Sequence, residues 1–359
     1  GRSPKILLYG MKLAGAFCQL TGYRRTALTE GGSMSVLITG VAGFIGFHLA
    51  ETMLDQGRRV VGVDNLNDYY DPTLKDARLA RLKGRDGFVF HKLDVSDRAK
   101  VETLAAEYQG LTGIVHLAAQ AGVRYSLVNP YAYTQANVEA HLVLLEAARR
   151  LPALKHFVYA SSSSVYGANT HMPFSVGDRT DNPVSLYGAT KKTMEVMSES
   201  YARMWGLPLT GLRFFTVYGP WGRPDMAAFI FLRKILAGEA IPVFNNGDMQ
   251  RDFTYVDDIV AGVVACLDQP PEASDDAPSH RIYNIGNNNS EFLMRFISII
   301  EETIGIKAEI EFLPMQPGDV KATYADIEAT TRDFGFVPST PIDVGLPKVI
   351  KWYRDYYGV

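Results

Sequence analysis

The chain has 359 residues, with 36 lysines and arginines against 39 aspartates and glutamates, a formal net charge of −3, and 47% hydrophobic residues. That length supports one large or two small domains with a real core, and the near-neutral balance lacks the basic surplus of a dedicated nucleic-acid binder. Two cysteines, Cys18 and Cys266, exclude a disulfide framework or a cysteine-rich zinc site and fit a reducing compartment.

In chain order, Gly1–Ser33 reads as an extension or added leader that ends in Glu30-Gly31-Gly32-Ser33, ahead of a start at Met34. Its apolar stretch Ile6–Leu20 is interrupted by Lys12, two glycines and Gln19, so it is too short and too polar to span a bilayer. From Met34 onward, apolar runs predict strands at Val36–Thr39, Arg59–Val63, Phe88–Lys92, Gly113–Leu117, His156–Ser161 and Pro208–Phe214. Between them, helical periodicity predicts helices at Gly46–Gln56, Arg98–Tyr108, Tyr133–Arg150 and Tyr187–Trp205. Strands this apolar, alternating with helices, are parallel and covered on both faces.

After Phe215 the order loosens into the segment Pro220-Trp221-Gly222-Arg223-Pro224-Asp225 and shorter mixed elements, and Asp268–Ser279, rich in proline and acid, reads as a solvent loop. The expected fold is therefore α/β. A doubly wound parallel (Rossmann) sheet spans residues 34–212, with segments around 246–290 returning to it, and a smaller mixed α/β lobe occupies most of 213–359.

The first strand runs into Gly40-Val41-Ala42-Gly43-Phe44-Ile45-Gly46 and then a helix. The first glycine permits the tight turn, the next lets a pyrophosphate approach the backbone, and the third lets helix and strand pack closely. The helix N-terminus then aims free N–H groups at the phosphates, with Phe44 and Ile45 in that turn. Asp64 ends the second strand 18 residues after Gly46, where a carboxylate accepts from both ribose hydroxyls and repels a 2′-phosphate. Asn65 follows it; Arg58 and Arg59, at the start of that strand, are a mild argument the other way. Asp94-Val95 closes the third strand, and Leu117-Ala118-Ala119-Gln120 closes the fourth with small residues that leave room for a cofactor. The combination predicts bound NAD.

Tyr187 and Lys191 stand at i and i+4 on one helix face. A tyrosine with a reference pKa near 10 is a poor base, but an ammonium and a cationic nicotinamide beside it favour the phenolate. Ser161-Ser162-Ser163-Ser164 ends an apolar strand, and in an open α/β sheet that end faces the ligand crevice.

With the glycine turn, His116-Leu117-Ala118-Ala119-Gln120, the serine cluster before Val165-Tyr166-Gly167, and Tyr187-x-x-x-Lys191, the chain resembles the extended short-chain dehydrogenase/reductases. Long matches at Ala119–Ser126, Leu212–Met226 and Arg251–Asp258 make it most similar to the UDP-glucuronate 4-epimerases, over essentially all of Met34–Val359. The resemblance implies an isomerase that converts UDP-glucuronic acid to UDP-galacturonic acid through a 4-keto intermediate, with NAD tightly held. It implies that Ser162 bonds O4, Tyr187 is the acid/base, Lys191 holds the nicotinamide ribose, and Asn137 supports the cofactor wall. It also implies Arg251 on the diphosphate, Phe244 against the uracil, Asp319 on the UDP ribose and a homodimer built on the helices at Tyr133–Arg150 and Tyr187–Trp205.

Galactose-type epimerases carry an arginine before Pro-Gly-Asp. Here Gln316 precedes Pro317-Gly318-Asp319, which leaves one phosphate contact open or moves it to Arg223. Thr216, where those relatives have asparagine, together with Ser163 and Ser164 offers hydroxyls to a uronate carboxylate, and Arg223 adds charge.

Rival readings are a UDP-glucuronate decarboxylase, a UDP-glucose 4-epimerase and a silent NAD-sensing scaffold. A 4,6-dehydratase would need Asp-Glu where Ser163-Ser164 stand. His116 and His141 read as core or surface residues rather than ligands, no metal is expected, and Trp352–Tyr357 reads as lobe packing. A mean hydropathy of −0.03 and the lack of anchors point to the cytosol, with no membrane or nucleic-acid partner.

Overall fold

The computed structural model describes residues 34–316 and 318–359; the reading of Gly1–Ser33 as a leader lies outside the described residues, as does Pro317. Strands β1 (Ser35–Thr39), β2 (Arg59–Asp64), β3 (Phe88–Lys92), β4 (Gly113–His116), β5 (His156–Ser162) and β6 (Leu209–Phe214) follow the apolar runs closely. With β7 (Thr216–Tyr218), β8 (Ile241–Phe244), β9 (Gln250–Tyr255) and β10 (His280–Ile285) introduced in turn, a seven-stranded parallel sheet assembles in the order β10-β6-β5-β4-β1-β2-β3. The order reverses direction between β1 and β4, which opens a crevice at the strands' carboxyl ends. Every residue of β1, β4, β5 and β6 is buried, as strands covered on both faces require.

Two apolar clusters flank the sheet. One joins helix Phe44–Asp55 to helix Val256–Leu267; the other joins Leu144, Leu145, Met194 and Tyr201 to the opposite face. A third core, with Phe229, Phe253, Phe296 and Val349, belongs to the smaller lobe. There β11 (Ser290–Phe292) pairs antiparallel with β9, β7 pairs parallel with β9, and β12 (Ile310–Leu313) pairs parallel with β8. The C-terminal aromatics pack as expected: Trp352 lies 5.0 Å from Trp221 and 5.6 Å from Phe229.

Two elements differ from the sequence expectation. Helix Pro72–Leu82 was not foreseen, because Lys75 and Arg78 occupy its buried face and blur the apolar stripe. The single helix expected at Tyr133–Arg150 is instead a short turn Pro130–Tyr133, a π-helical turn Thr134–Glu139 and a helix Ala140–Ala148. The extra residue in a π turn re-aims a side chain, here Asn137, which is fully buried and hydrogen-bonded inward.

Candidate active site

A cleft of about 940 Å³ runs across the carboxyl ends of β1, β2, β4 and β5 and into the lobe. At its sheet end lie Gly40, Gly43, Phe44, Ile45 and Gly46. Gly40 has φ +73, and a Cβ on Gly46 would meet the Gly40 carbonyl at 2.1 Å, so this turn admits only glycine at both places. No side chain caps the helix that follows, which leaves its N-terminal N–H groups facing the cleft.

Asp64, Asn65, Asp94 and Val95 form the next wall. Asp64 accepts from Ala42 N at 3.1 Å and Leu66 N at 2.9 Å, which fixes its carboxylate beside the glycine turn. Burial nonetheless pushes its pKa upward against those two N–H groups and Lys75. Asn65 donates to Asp94 at 2.9 Å. Arg58 is engaged in a two-pronged pair with Asp268, both contacts 2.7 Å, and so does not bear on the ribose position. These residues fit a dinucleotide: an uncapped helix start and a side-chain-free turn suit its pyrophosphate, and an anchored carboxylate suits its ribose.

Leu117, Ala118, Ala119 and Gln120 line the inner wall, but Asn137 does not reach the cleft. Its amide accepts from Gln120 N at 2.9 Å and donates to Gln120 O at 3.1 Å and to Thr190 Oγ1 at 3.0 Å. Asn137 therefore braces the wall against the helix Leu186–Trp205, as support behind the cofactor site rather than a residue lining it. Ser185 starts that helix by accepting from Gly188 N at 3.1 Å, and the helix carries Tyr187 and Lys191 into the cleft opposite Ser162, Ser163 and Ser164.

Lys191 is buried and donates to Ala160 O at 2.7 Å; burial lowers its pKa to about 7. Burial pushes the Tyr187 phenol upward, and the groups that pull it back are the Ser162 hydroxyl and Arg223. Desolvation also weakens the charge of Lys191 itself, one turn away.

Thr216 and Arg223 line the cleft on the lobe side. Arg223 pairs with Asp225 at 2.9 and 2.5 Å, and Tyr69 donates to the same carboxylate at 3.2 Å. Arg223 acts electrostatically on Tyr187, which sets it near the Ser162 and Tyr187 end of the cleft. Phe244, Arg251 and Asp319 occupy the far end, with Arg251 donating to Asp319 at 2.8 Å. Arg124, given no role from sequence, lies 5.1 Å over the Phe244 ring and acts on Arg251 electrostatically. It supplies the second cation at that end, where Gln316 has a buried Oε1 without a hydrogen-bond partner. Arg124 lies within Ala119–Ser126, but only the fold sets it beside Phe244. Lys75, Tyr69 and Asp225 also line the cleft and were likewise passed over.

His116 and His141 are buried, stacked 5.5 Å apart, and bonded to Thr39 and Ser198. Among the described residues no group of three or more His, Cys, Asp or Glu side chains could hold a metal, and no helix is long and apolar enough to cross a membrane.

Residues 36–286 match the NAD dependent epimerase/dehydratase family. The chain belongs to that family. As a family member it is 45% identical to UDP-glucuronate 4-epimerase 3 of Arabidopsis thaliana, over 90% of this chain and 77% of the relative. It is also 45% identical to a probable UDP-glucuronate 4-epimerase of Rhizobium meliloti, over 90% and 98%. Its fold matches UDP-glucuronic acid 4-epimerase from Bacillus cereus in complex with UDP-glucuronic acid and NAD, with a TM-score of 0.83 and 32% identity over 90% of this chain and all of that one.

Proposed function

We propose that this protein interconverts UDP-glucuronic acid and UDP-galacturonic acid by epimerisation at C4. The observation that carries the reading is the convergence of Ser162, Tyr187 and Lys191 where the glycine-turn cleft meets the pocket of Thr216 and Arg223. When bound, NAD+ supplies the hydride acceptor for C4, a positive ring beside Tyr187 and, once reduced, the hydride that returns. Gly40, Gly43, Gly46 and Asp64 hold it, with Lys191 at its nicotinamide ribose. Ser162 hydrogen-bonds O4 while the Tyr187 phenolate takes the O4 proton, and Tyr187 gives the proton back after the sugar has turned over. Arg251, Asp319 and Phe244 grip the UDP portion, so the 4-keto sugar rotates about its diphosphate linkage without leaving.

A 4-keto uronate is a β-keto acid and loses CO₂ when its carboxylate bond aligns with the carbonyl π-system. Thr216, Ser163, Ser164 and Arg223 hold the carboxylate out of that alignment. On this reading residues 34–212, with the returning segments around 246–290, carry the cofactor, and most of 213–359 carries the UDP-sugar.

The decisive test is NMR of UDP-glucuronic acid incubated with purified protein and no added NAD. UDP-galacturonic acid formed without loss of carbon is the expected product; a UDP-pentose with CO₂ would make the protein a decarboxylase instead. Thr216→Ala is expected to raise the UDP-pentose by-product or to weaken discrimination against UDP-glucose, and an unchanged product ratio and selectivity would remove Thr216 from this role.

We also propose a homodimer acting in the cytosol. Leu142, Val196, Met204 and Trp205 are 41–58% exposed on the helices Ala140–Ala148 and Leu186–Trp205, which are joined by Tyr201 donating to Glu146 at 2.8 Å. Met204→Glu with Val196→Glu should shift light-scattering mass to that of one chain; an unshifted mass would move the interface elsewhere.

A further inference from the structure

Arg78 is fully buried on the unforeseen helix Pro72–Leu82, yet its partners are carbonyls and a phenol rather than a carboxylate. Nη1 donates to Ala42 O at 2.9 Å and to the Tyr70 hydroxyl at 2.8 Å. Nε and Nη2 reach Trp221 O at 3.1 and 2.6 Å, and Nη2 also reaches Gly222 O at 3.1 Å. The preceding carbonyl, Pro220 O, accepts from His48 Nε2 at 2.9 Å. Three successive carbonyls of the segment leading into Arg223 are thus clasped by two side chains of the sheet domain.

The clasped backbone is one that would not hold itself. Trp221 has φ +59, a conformation a bulky residue rarely adopts and keeps only when its surroundings over-determine it. At Gly222 a Cβ would meet Phe229 at 2.6 Å, so the chain has no slack there. Ala42 belongs to the glycine turn, so a single planar fork ties the cofactor turn to the strand of chain that delivers Arg223. Burying a guanidinium among neutral acceptors is costly, and an apolar side chain would fill the same space without that cost.

We propose that Arg78 is a positioning residue that sets Arg223 against the substrate carboxylate, with His48 as the second clasp. This rests on the reading that Arg223 meets a uronate. A lysine cannot replace the fork, because one ammonium cannot span Ala42 on one side and Trp221 with Gly222 on the other.

The test compares wild type, Arg78→Lys, Arg78→Met and His48→Leu, each with saturating NAD. The readouts are kinetics with UDP-glucuronic acid and UDP-glucose and the affinity for UDP alone. Arg78→Lys and Arg78→Met are expected to raise KM for UDP-glucuronic acid by about tenfold or more, with a smaller fall in kcat because a displaced Arg223 also loses its pull on the Tyr187 phenol. UDP affinity should stay at the wild-type value, so that preference for the uronate over UDP-glucose falls. His48→Leu should show the same pattern more weakly, and it carries the test if the Arg78 variants do not fold. Wild-type preference in folded variants would overturn the proposal, as would rescue by lysine, or equal losses for UDP and UDP-glucuronic acid, which mark general damage. A wild type that turns over UDP-glucose as readily as UDP-glucuronic acid would instead overturn the reading of function.

Discussion

Tyr187 has a phenol that burial pushes above its ordinary range, and the lysine one turn away is itself driven down to about 7. Burial thus favours the protonated phenol, and Arg223 and the Ser162 hydroxyl are the groups that ease removal of its proton. Tyr187→Phe keeps the ring and removes the proton carrier. Its kcat should fall by about 10²- to 10⁴-fold, the usual range for a lost general acid–base, while the bound NAD measured after denaturing release stays unchanged. A variant within tenfold of wild type would transfer the role to another group. Tyr187 and Lys191 were legible as a pair because i and i+4 share a helix face whatever the fold. The partners of Asn137 were not, since its side chain is directed by Gln120 and Thr190, 17 and 53 residues away in sequence.

Helix Leu186–Trp205 is tied to the sheet by a buried ion pair one turn beyond Lys191. Glu195 accepts from Arg213 at 2.8 and 2.9 Å and from Ser161 at 2.7 Å, and both charged side chains are 3% exposed. Burial alone would raise the Glu195 carboxyl, but the Arg213 guanidinium outweighs it and holds the pKa below the ordinary value. The pair connects β5, which ends in Ser162, and β6 to the helix that carries Tyr187.

Removing one partner leaves an uncompensated buried charge, so Glu195→Leu should cost about 3–5 kcal/mol in urea unfolding. The double change Glu195→Leu with Arg213→Met should cost much less, since both charges go together. A double variant as unstable as the single one would mean that packing, not charge, holds the helix there. Strand and helix positions were readable at this scale from apolar runs, whereas the π turn at Thr134–Glu139 was not, and the Asn137 side chain it carries bonds to Gln120 and Thr190, far along the chain.

Across the whole molecule, among the described residues, four buried histidines and the half-buried His48 are held below their ordinary pKa by desolvation: His48 and His156 at about 4, His141 at about 3, with His116 and His280 also lowered. In an unfolded chain each imidazole binds a proton below about pH 6.5. The unfolded state therefore holds more protons between pH 6.5 and 4, and stability falls as pH drops through that window. Asp252, pushed by burial up to about 6, works in the opposite sense from pH 6 downward, as does Asp64, but the histidines outnumber them. Each net proton contributes about 1.4 kcal/mol per pH unit. Calorimetric Tm should accordingly decline from pH 6.5 to 5; a flat or rising Tm would mean the imidazoles are not buried neutral.

Short-range physics is what made the glycine turn before a helix, the apolar parallel strands, the Tyr187–Lys191 spacing and the serines at a strand end legible in the chain. Those features depend on residues a few positions apart. Only the fold set Arg124 over Phe244 and near Arg251, joined Asn137 to Thr190, and let Arg78 clasp a segment more than 140 residues away. Such placements follow from strand order and from buried polar groups finding partners once water is excluded. No local pattern in the chain encodes them.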